Sequence, residues 1–327
     1  MIEGQTHNIY LRASLANPLI RPEHTQEHEF GMDATLFGGR VDMGITGYRR
    51  RTNDQINNIQ EPAGLPLLQW VNLGDVSGRG IEATATWHMV QRSSWNLNVI
   101  LAYNQQTTKL IRLGAGLPGG YYGGGSLVPG YPLGSAFGNT VAGYADTAGG
   151  GPDSVIISTE AVLSPLRYLG VLFPPRTLNV TPSLTLLHGY LSVSTSFDRQ
   201  TGFLQLDPII NDNCADEGLC LAGLLKSAPL IDQANASARI DHFEPGDFTR
   251  WRELSITATV PLNLVSWLRI GSAQVSIQGR NLALWTKYKG PDPESQPESG
   301  VTALASSSGA FGIPFPRTWS IRFDVNP

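Results

Sequence analysis

The run Glu27-His28-Glu29-Phe30-Gly31-Met32-Asp33-Ala34-Thr35-Leu36-Phe37-Gly38-Gly39-Arg40-Val41-Asp42-Met43-Gly44-Ile45-Thr46 alternates apolar and polar side chains on both sides of a glycine pair. Before the glycines, Phe30, Met32, Ala34 and Leu36 share one parity and Glu29, Gly31, Asp33 and Thr35 the other. After them, Val41, Met43 and Ile45 oppose Arg40, Asp42, Thr46 and Tyr48. A period of two sends successive side chains to opposite faces of a strand, and a glycine pair supplies the positive φ angles of a tight hairpin. The run therefore predicts two antiparallel strands joined at Gly38-Gly39, each with one apolar face and one polar face.

The same pattern recurs along the chain. Gly80 to Val90 sets Ile81, Ala83, Ala85, Trp87 and Met89 against Glu82, Thr84, Thr86 and His88, and Trp95 to Thr108 sets Trp95, Leu97, Val99, Leu101 and Tyr103 against Asn96, Asn98 and Asn104. Arg176 to Leu187, Tyr190 to Gln205, Asp247 to Val260, Arg269 to Ala283 and Arg317 to Val325 bring the number of predicted strands to about nine. Their connections alternate in length. Short ones fall at Gly38-Gly39, Gln91 to Ser94, His188-Gly189 and Pro261 to Leu268; long ones fall at Thr52 to Arg79, Lys109 to Pro175, Leu206 to Gly246 and Leu284 to Pro316. Short turns on one rim and long loops on the other characterise outer-membrane barrels, whereas the Greek-key connections of a sandwich impose no such parity. The expected fold is all-β, an antiparallel transmembrane β-barrel meander that is incomplete. Nine strands do not make the even number usual in bacterial barrels, and Glu27 to Phe37 would be an unpaired edge, which barrels exist to abolish. The stretch Met1 to His7 has neither the basic nor the apolar region of a secretory signal. Further upstream strands are accordingly expected.

Composition narrows the function. With 41% hydrophobic and only 15% charged residues, 36 Gly and 22 Pro, the chain is turn-rich and suited to β structure. A net charge of −4, with no basic block beyond Arg49-Arg50-Arg51, gives no electrostatic footprint for nucleic acid. No apolar run reaches the roughly 18 residues of a membrane helix, a test that membrane strands escape because they are short and alternate. Gly-x-Ser-x-Gly, His-Glu-x-x-His, a Gly-Lys-Ser/Thr phosphate loop and a Cys/His quartet are all missing, so neither an enzyme nor a cofactor or metal site is expected. Asp292-Pro293-Glu294 offers two carboxylates, too few for calcium. An outer-membrane adhesion or structural barrel, and a soluble β-sandwich binding module, are the alternatives.

Several segments resemble one family in its own order. Ser14-Leu15-Ala16-Asn17-Pro18-Leu19-Ile20-Arg21-Pro22-Glu23, leading into Glu27-His28-Glu29, resembles a segment of SusC/RagA-like TonB-dependent receptors. So do Leu36-Phe37-Gly38-Gly39-Arg40-Val41, Asn72 to Glu82, and Phe248-Thr249-Arg250-Trp251-Arg252-Glu253-Leu254. Most specific is Gly279-Arg280-Asn281-Leu282 through Trp285-Thr286-Lys287-Tyr288-Lys289-Gly290, followed by Asp292-Pro293-Glu294. The resemblance implies a plugged barrel of about 22 strands in the cell outer membrane that imports a glycan, peptide or chelated metal. It also implies force from TonB acting through an N-terminal plug, and often a SusD-like surface lipoprotein as cap. Residues 1–327 would then be the C-terminal portion of such a barrel, in contact with outer-membrane lipids, with the plug and upstream strands elsewhere. Family barrels commonly finish on an aromatic residue; here the chain finishes Val325-Asn326-Pro327, and Phe323 is expected to serve instead.

Candidate substrate contacts are the loop aromatics Trp70, Tyr121, Tyr122, Tyr131 and Tyr144, whose faces can stack on sugar rings or peptide side chains, or simply pack their own loops. Trp95, Tyr103, Trp251 and Trp319 are candidates for the aromatic girdles of the membrane interface. The Arg49-Arg50-Arg51 cluster is expected near the outer rim, facing solvent or lipopolysaccharide. Cys214 and Cys220, in a segment rich in Asp, Asn and Gly, are read as a loop disulfide, with two separate thiols as the alternative.

Overall fold

A computed structural model of the chain describes residues 14–15, 17–60, 68–114, 120–122, 125–138, 141–144, 161–163, 165–206, 243–261, 271–290, 292–294 and 314–326. In chain order these form β1 (Ser14–Leu15), β2 (His24–Leu36), β3 (Val41–Gln60), β4 (Leu68–Gln91) and β5 (Trp95–Leu113). Short strands follow: β6 (Gly120–Tyr122), β7 (Gly125–Leu127), β8 (Ser135–Gly138), β9 (Val141–Tyr144), β10 (Ala161–Leu163) and β11 (Arg167–Val171). Then come β12 (Arg176–Leu186), β13 (Leu191–Thr201), β14 (Leu204–Leu206), β15 (Phe243–Pro245), β16 (Phe248–Val260), β17 (Ser272–Thr286) and β18 (Thr318–Asn326).

The nine long strands make one sheet in the order β18-β17-β16-β13-β12-β5-β4-β3-β2, so each pairs with its sequence neighbour among the nine. Every neighbouring pair is antiparallel. This is the meander expected from the alternation, and each predicted strand falls on one of the nine. Among the described residues, the outer edges of β2 and β18 pair with no further strand.

The registers carry one apolar face across the sheet. Met32, Ile45, Ala83, Tyr103 and Leu178 form a row over five strands, and Val193, Ile256, Ile277 and Ile321 continue the same character over four more. The opposite face reads Asp33, Gly44, Thr84, Ala102, Asn179, Asp198 and Arg250, or Ser194, Ser255, Gln278 and Ser320. The large apolar side chains are the bare ones: Phe30 is 83%, Phe323 72% and Ile321 63% exposed. An apolar band of that extent is unfavourable in water and marks a surface meant for another apolar medium. The polar face is the inner, lumen side of the curved wall. Trp95, Tyr103, Trp251 and Trp319 all lie on the apolar face by register, as girdle residues must.

Two features depart from the expected outline. The turn between β2 and β3 spans residues 37–40, with positive φ at Phe37, Gly38 and Gly39 and the Arg40 amide donating to the Leu36 carbonyl, so it is longer than the two-residue hairpin. Thr52 to Arg79 is not a loop for most of its length: β3 runs on to Gln60 and β4 begins at Leu68. At 20, 24 and 19 residues, β3, β4 and β5 are about twice the 9 to 11 residues that cross a bilayer. Their far halves therefore project beyond the long-loop rim, where they pack against loop segments, with Val71, Leu73, Val76 and Leu110 buried, and no period-two pattern is required. A bulge between Thr52 and Gln55, with Asp54 at φ 51°, marks the change. Gly74 opposite it has φ 130°, and a Cβ there would run into the Arg112 carbonyl.

Above that bend a small core forms from Leu73, Val76, Leu110 and Leu127, with Leu113 and Leu133 against it. It ties the four-stranded sheet β11-β8-β7-β6 to the projecting hairpin.

Candidate functional site at the lumen rim

Residues 128–133 fold back onto the end of β5. The Gly130 amide donates to the Leu110 carbonyl at 2.7 Å, and the Leu110 amide to the Tyr131 carbonyl at 2.9 Å. The Leu133 amide donates to Thr108 Oγ1 at 3.3 Å. Thr108 pairs with Gly78, and Gly78 with Arg50, on the polar face, so this segment lies against the inner wall. Below it a recess of about 260 Å³ is lined by Thr25, Arg50, Thr52, Gly78, Thr108 and Leu133, among others. The walls mix the hydroxyls of three threonines, the Arg50 guanidinium, the Glu23 carboxylate and the Gln55 amide with the apolar Val76 and Leu133.

Beside this recess three rings meet. Tyr131 lies 5.0 Å from Phe137 and 5.2 Å from Tyr168, and Phe137 lies 5.7 Å from Tyr168, centroid to centroid. β8 and β11 supply the second and third rings through the pairing of Phe137 with Tyr168. Tyr131 and Tyr168 remain 38% and 40% exposed, so the cluster is an open aromatic surface rather than a core. Burial, and then the neighbouring Tyr131, push the Tyr168 hydroxyl above its ordinary value near 10, keeping it a neutral donor.

Of the predicted contacts whose side chains are described, Trp70 and Tyr131, only Tyr131 is found in this cluster. Trp70 stands on β4, its carbonyl accepting from Asn17 Nδ2 at 2.8 Å, and has no ring neighbour among the described residues. Tyr121 and Tyr122 lie on β6 and Tyr144 on β9; their side chains, like Cys214 and Cys220, fall outside the described residues. Phe137 and Tyr168 are members that the sequence reading missed. Reading Lys109 to Pro175 as one connection hid them; the alternation Phe137/Ala136/Ser135 against Tyr168/Gly170/Val171 is the signal that could have paired them.

A second structure at the same rim joins two of the family-like segments. On β16, Arg252 is the extra residue of a bulge between Trp251 and Glu253, which turns its side chain to the inner face beside Arg250. Arg252 grips Glu294 with two hydrogen bonds of 2.8 and 2.9 Å and reaches Asp198 through Nε. Arg250, 3% exposed, pairs with Asp292, 2% exposed, and rests between the rings of Phe248 and Phe315, 5.7 Å from each. Its Nε lies 2.9 Å from Glu294 Oε2 yet is not aligned to hydrogen-bond it, so that contact is purely ionic. Asp292-Pro293-Glu294 is therefore an anchor for the connection after β17. Among the described residues no group of three or more His, Cys, Asp or Glu could hold a metal ion, and the carboxylates of this motif are taken by arginines.

A two-faced meander with a polar inner wall and structured loops at one rim defines a transmembrane barrel wall, and the sequence matches that class. Residues 4–151 match the model of the TonB dependent receptor-like β-barrel family. The chain resembles a segment of a SusC/RagA-like TonB-dependent receptor barrel. It is 28% identical over 109 residues to the TonB-dependent receptor SusC of Bacteroides thetaiotaomicron, an alignment covering 30% of this chain and 11% of SusC. The RagAB peptide transporter superposes with a TM-score of 0.68 at 24% identity, covering 86% of this chain and 33% of that one. The RagAB peptide importer in its closed-closed state gives 0.68 at 20% identity over 92% of this chain and 35% of the other. These likenesses establish the fold. The chain spans about a third of the solved transporter chains.

Proposed function

We propose that this chain forms part of the wall and the extracellular loops of an outer-membrane importer that takes up a nutrient under TonB force. The two-faced wall carries the reading. Its outer face suits lipid, and its inner face is a hydroxyl- and amide-rich surface with the Tyr131/Phe137/Tyr168 cluster at the mouth. A wall of this kind does no covalent chemistry; it positions a solute between loops and lumen while another part of the protein moves. That moving part is a plug outside residues 1–327, and a SusD-like lipoprotein over the long-loop rim is the further partner. A peptide or a glycan fits the cluster, since aromatic faces take both.

The test is uptake by cells of the source bacterium carrying the full-length gene or its deletion, offered fluorescently labelled peptide and glycan pools with and without an uncoupler. Uptake that needs both the gene and the proton gradient supports the proposal, and the pool that enters names the class. Uptake by neither pool, with the protein present in the outer membrane, favours an adhesion or structural barrel.

A further inference from the structure

The apolar outer face ends abruptly toward the long-loop rim. Its last row is Phe30, Gly47, Ile81 and Gln105, with the Tyr103 hydroxyl donating to Gln105 Oε1 at 2.8 Å. One pleat further on, the same face reads His28, Arg49, Arg79 and Thr107. Arg49 and Arg79 are directly opposed across β3 and β4, about 5 Å apart at Cβ, a placement that disfavours like charges. Neighbouring arginines each have a carboxylate within 4 Å: Arg50 lies 3.9 Å from Glu27, and Arg51 and Arg112 share Asp75 at 3.7 and 3.1 Å. Arg49 and Arg79 have no carboxylate partner among the described residues, and both are exposed.

Between the two rows lies an open recess of about 620 Å³, lined by Phe30, Gly47, Arg49, Arg79, Ile81 and Thr107, among others. Gly47 makes it. This glycine sits between Phe30 and Ile81, and a Cβ added to it would meet nothing within 4 Å, so neither packing nor backbone angle demands glycine here. The space is left free on the lipid side, with an unpaired arginine couple above and apolar walls below.

We propose that this recess holds a phosphate-bearing lipid of the outer leaflet. Its phosphate would be clamped by Arg49 and Arg79, and its acyl chain laid over Gly47 between Phe30 and Ile81. Guanidinium forks suit phosphate oxygens, and an anion between the two arginines turns their repulsion into attraction. The inference rests on the membrane orientation proposed above.

The experiment uses the full-length receptor extracted from its own outer membrane, with bound lipid read by native mass spectrometry. Add-back probes are monophosphoryl lipid A, its dephosphorylated form and inorganic phosphate. Wild type is expected to retain phosphorylated lipid and to prefer monophosphoryl over dephosphorylated lipid A by at least about tenfold, the scale of a charge-assisted hydrogen bond. Arg49→Gln/Arg79→Gln should erase that preference. Gly47→Leu, whose added Cβ meets nothing within 4 Å, should lower retention of the lipid while folding is unchanged, and Arg322→Gln, whose arginine pairs with Asp324 on the polar face, should retain the lipid. Undiminished preference in the double variant overturns the proposal, and so does inorganic phosphate binding as tightly as the lipid. Recovery of the receptor in the soluble fraction would overturn the membrane orientation itself, an outcome distinct from loss of this site alone.

Discussion

At the scale of single residues, the most consequential group is Arg250, because charge and burial coincide there. Its side chain is 3% exposed and its partner Asp292 2%, so removing either takes a direct counter-charge from a buried group. Arg250→Met is expected to destabilise the rim by about 3 kcal/mol or more, while Arg250→Met with Asp292→Leu should recover much of that loss, since a buried pair is harder to break than to replace. Urea titration of the folded receptor in detergent, with trypsin cleavage at Lys287 and Lys289 as the local readout, measures both. The sequence displayed Asp292-Pro293-Glu294 and Phe248 to Leu254 as separate family-like segments, but not that each anchors the other. The contact joins residues 42 apart, and a bulge that reorients Arg252 leaves no periodic signature. Tyr168 gives a second, pH-linked expectation. Its phenol holds its proton above the usual value, so the stabilisation of the ring cluster is complete below pH about 10 and is lost as the pH rises through the raised pKa. Tyr168→Phe should remove that alkaline loss, as followed by phenolate absorbance against near-ultraviolet circular dichroism.

The strand is the scale at which the sequence spoke most clearly. Period two survives along the wall, where one face is apolar and the other polar, which is why all nine wall strands were legible from alternation alone. It fails above the bend, where the strands project from the two-faced wall and pack against loop segments. Thr52 to Gln60 reads Thr-Asn-Asp-Gln-Ile-Asn-Asn-Ile-Gln, looks like a loop, and is strand, because a projecting hairpin is held by backbone pairing and by the core of Leu73, Val76, Leu110 and Leu127 instead of by a membrane. The two-face principle makes a sharp prediction on β17. Ile277 lies between Ile256 and Ile321, and Gln278 between Ser255 and Ser320. Ile277→Arg should cost about 2–4 kcal/mol of barrel stability if it sits at mid-bilayer, whereas Gln278→Arg, one residue on and facing the lumen, should cost much less. Comparing the fraction folded by heat-modifiable gel migration separates them. Equal costs would mean that the apolar face does not meet lipid.

On the scale of the whole molecule, the outer edges of β2 and β18 are unpaired among the described residues, and the long β3–β4–β5 hairpins carry the rim structures beyond the end of the two-faced wall. The wall and the rim are thus separate in their support: the strands are secured by pairing along the sheet, the Tyr131/Phe137/Tyr168 cluster by a small core of its own. Changes at the cluster should therefore alter solute capture and leave the barrel intact. Tyr131→Ala with Phe137→Ala in the full-length receptor is expected to raise the apparent KM for uptake several-fold, by analogy with the roughly 1 kcal/mol of an aromatic pair, with little change in the maximal rate or in outer-membrane abundance. Labelled-substrate uptake over a concentration series reads the split. A fall in maximal rate at constant KM would place the cluster in opening of the transporter rather than in capture, and a loss of both with normal abundance would mean that the rim and the lumen act as one site.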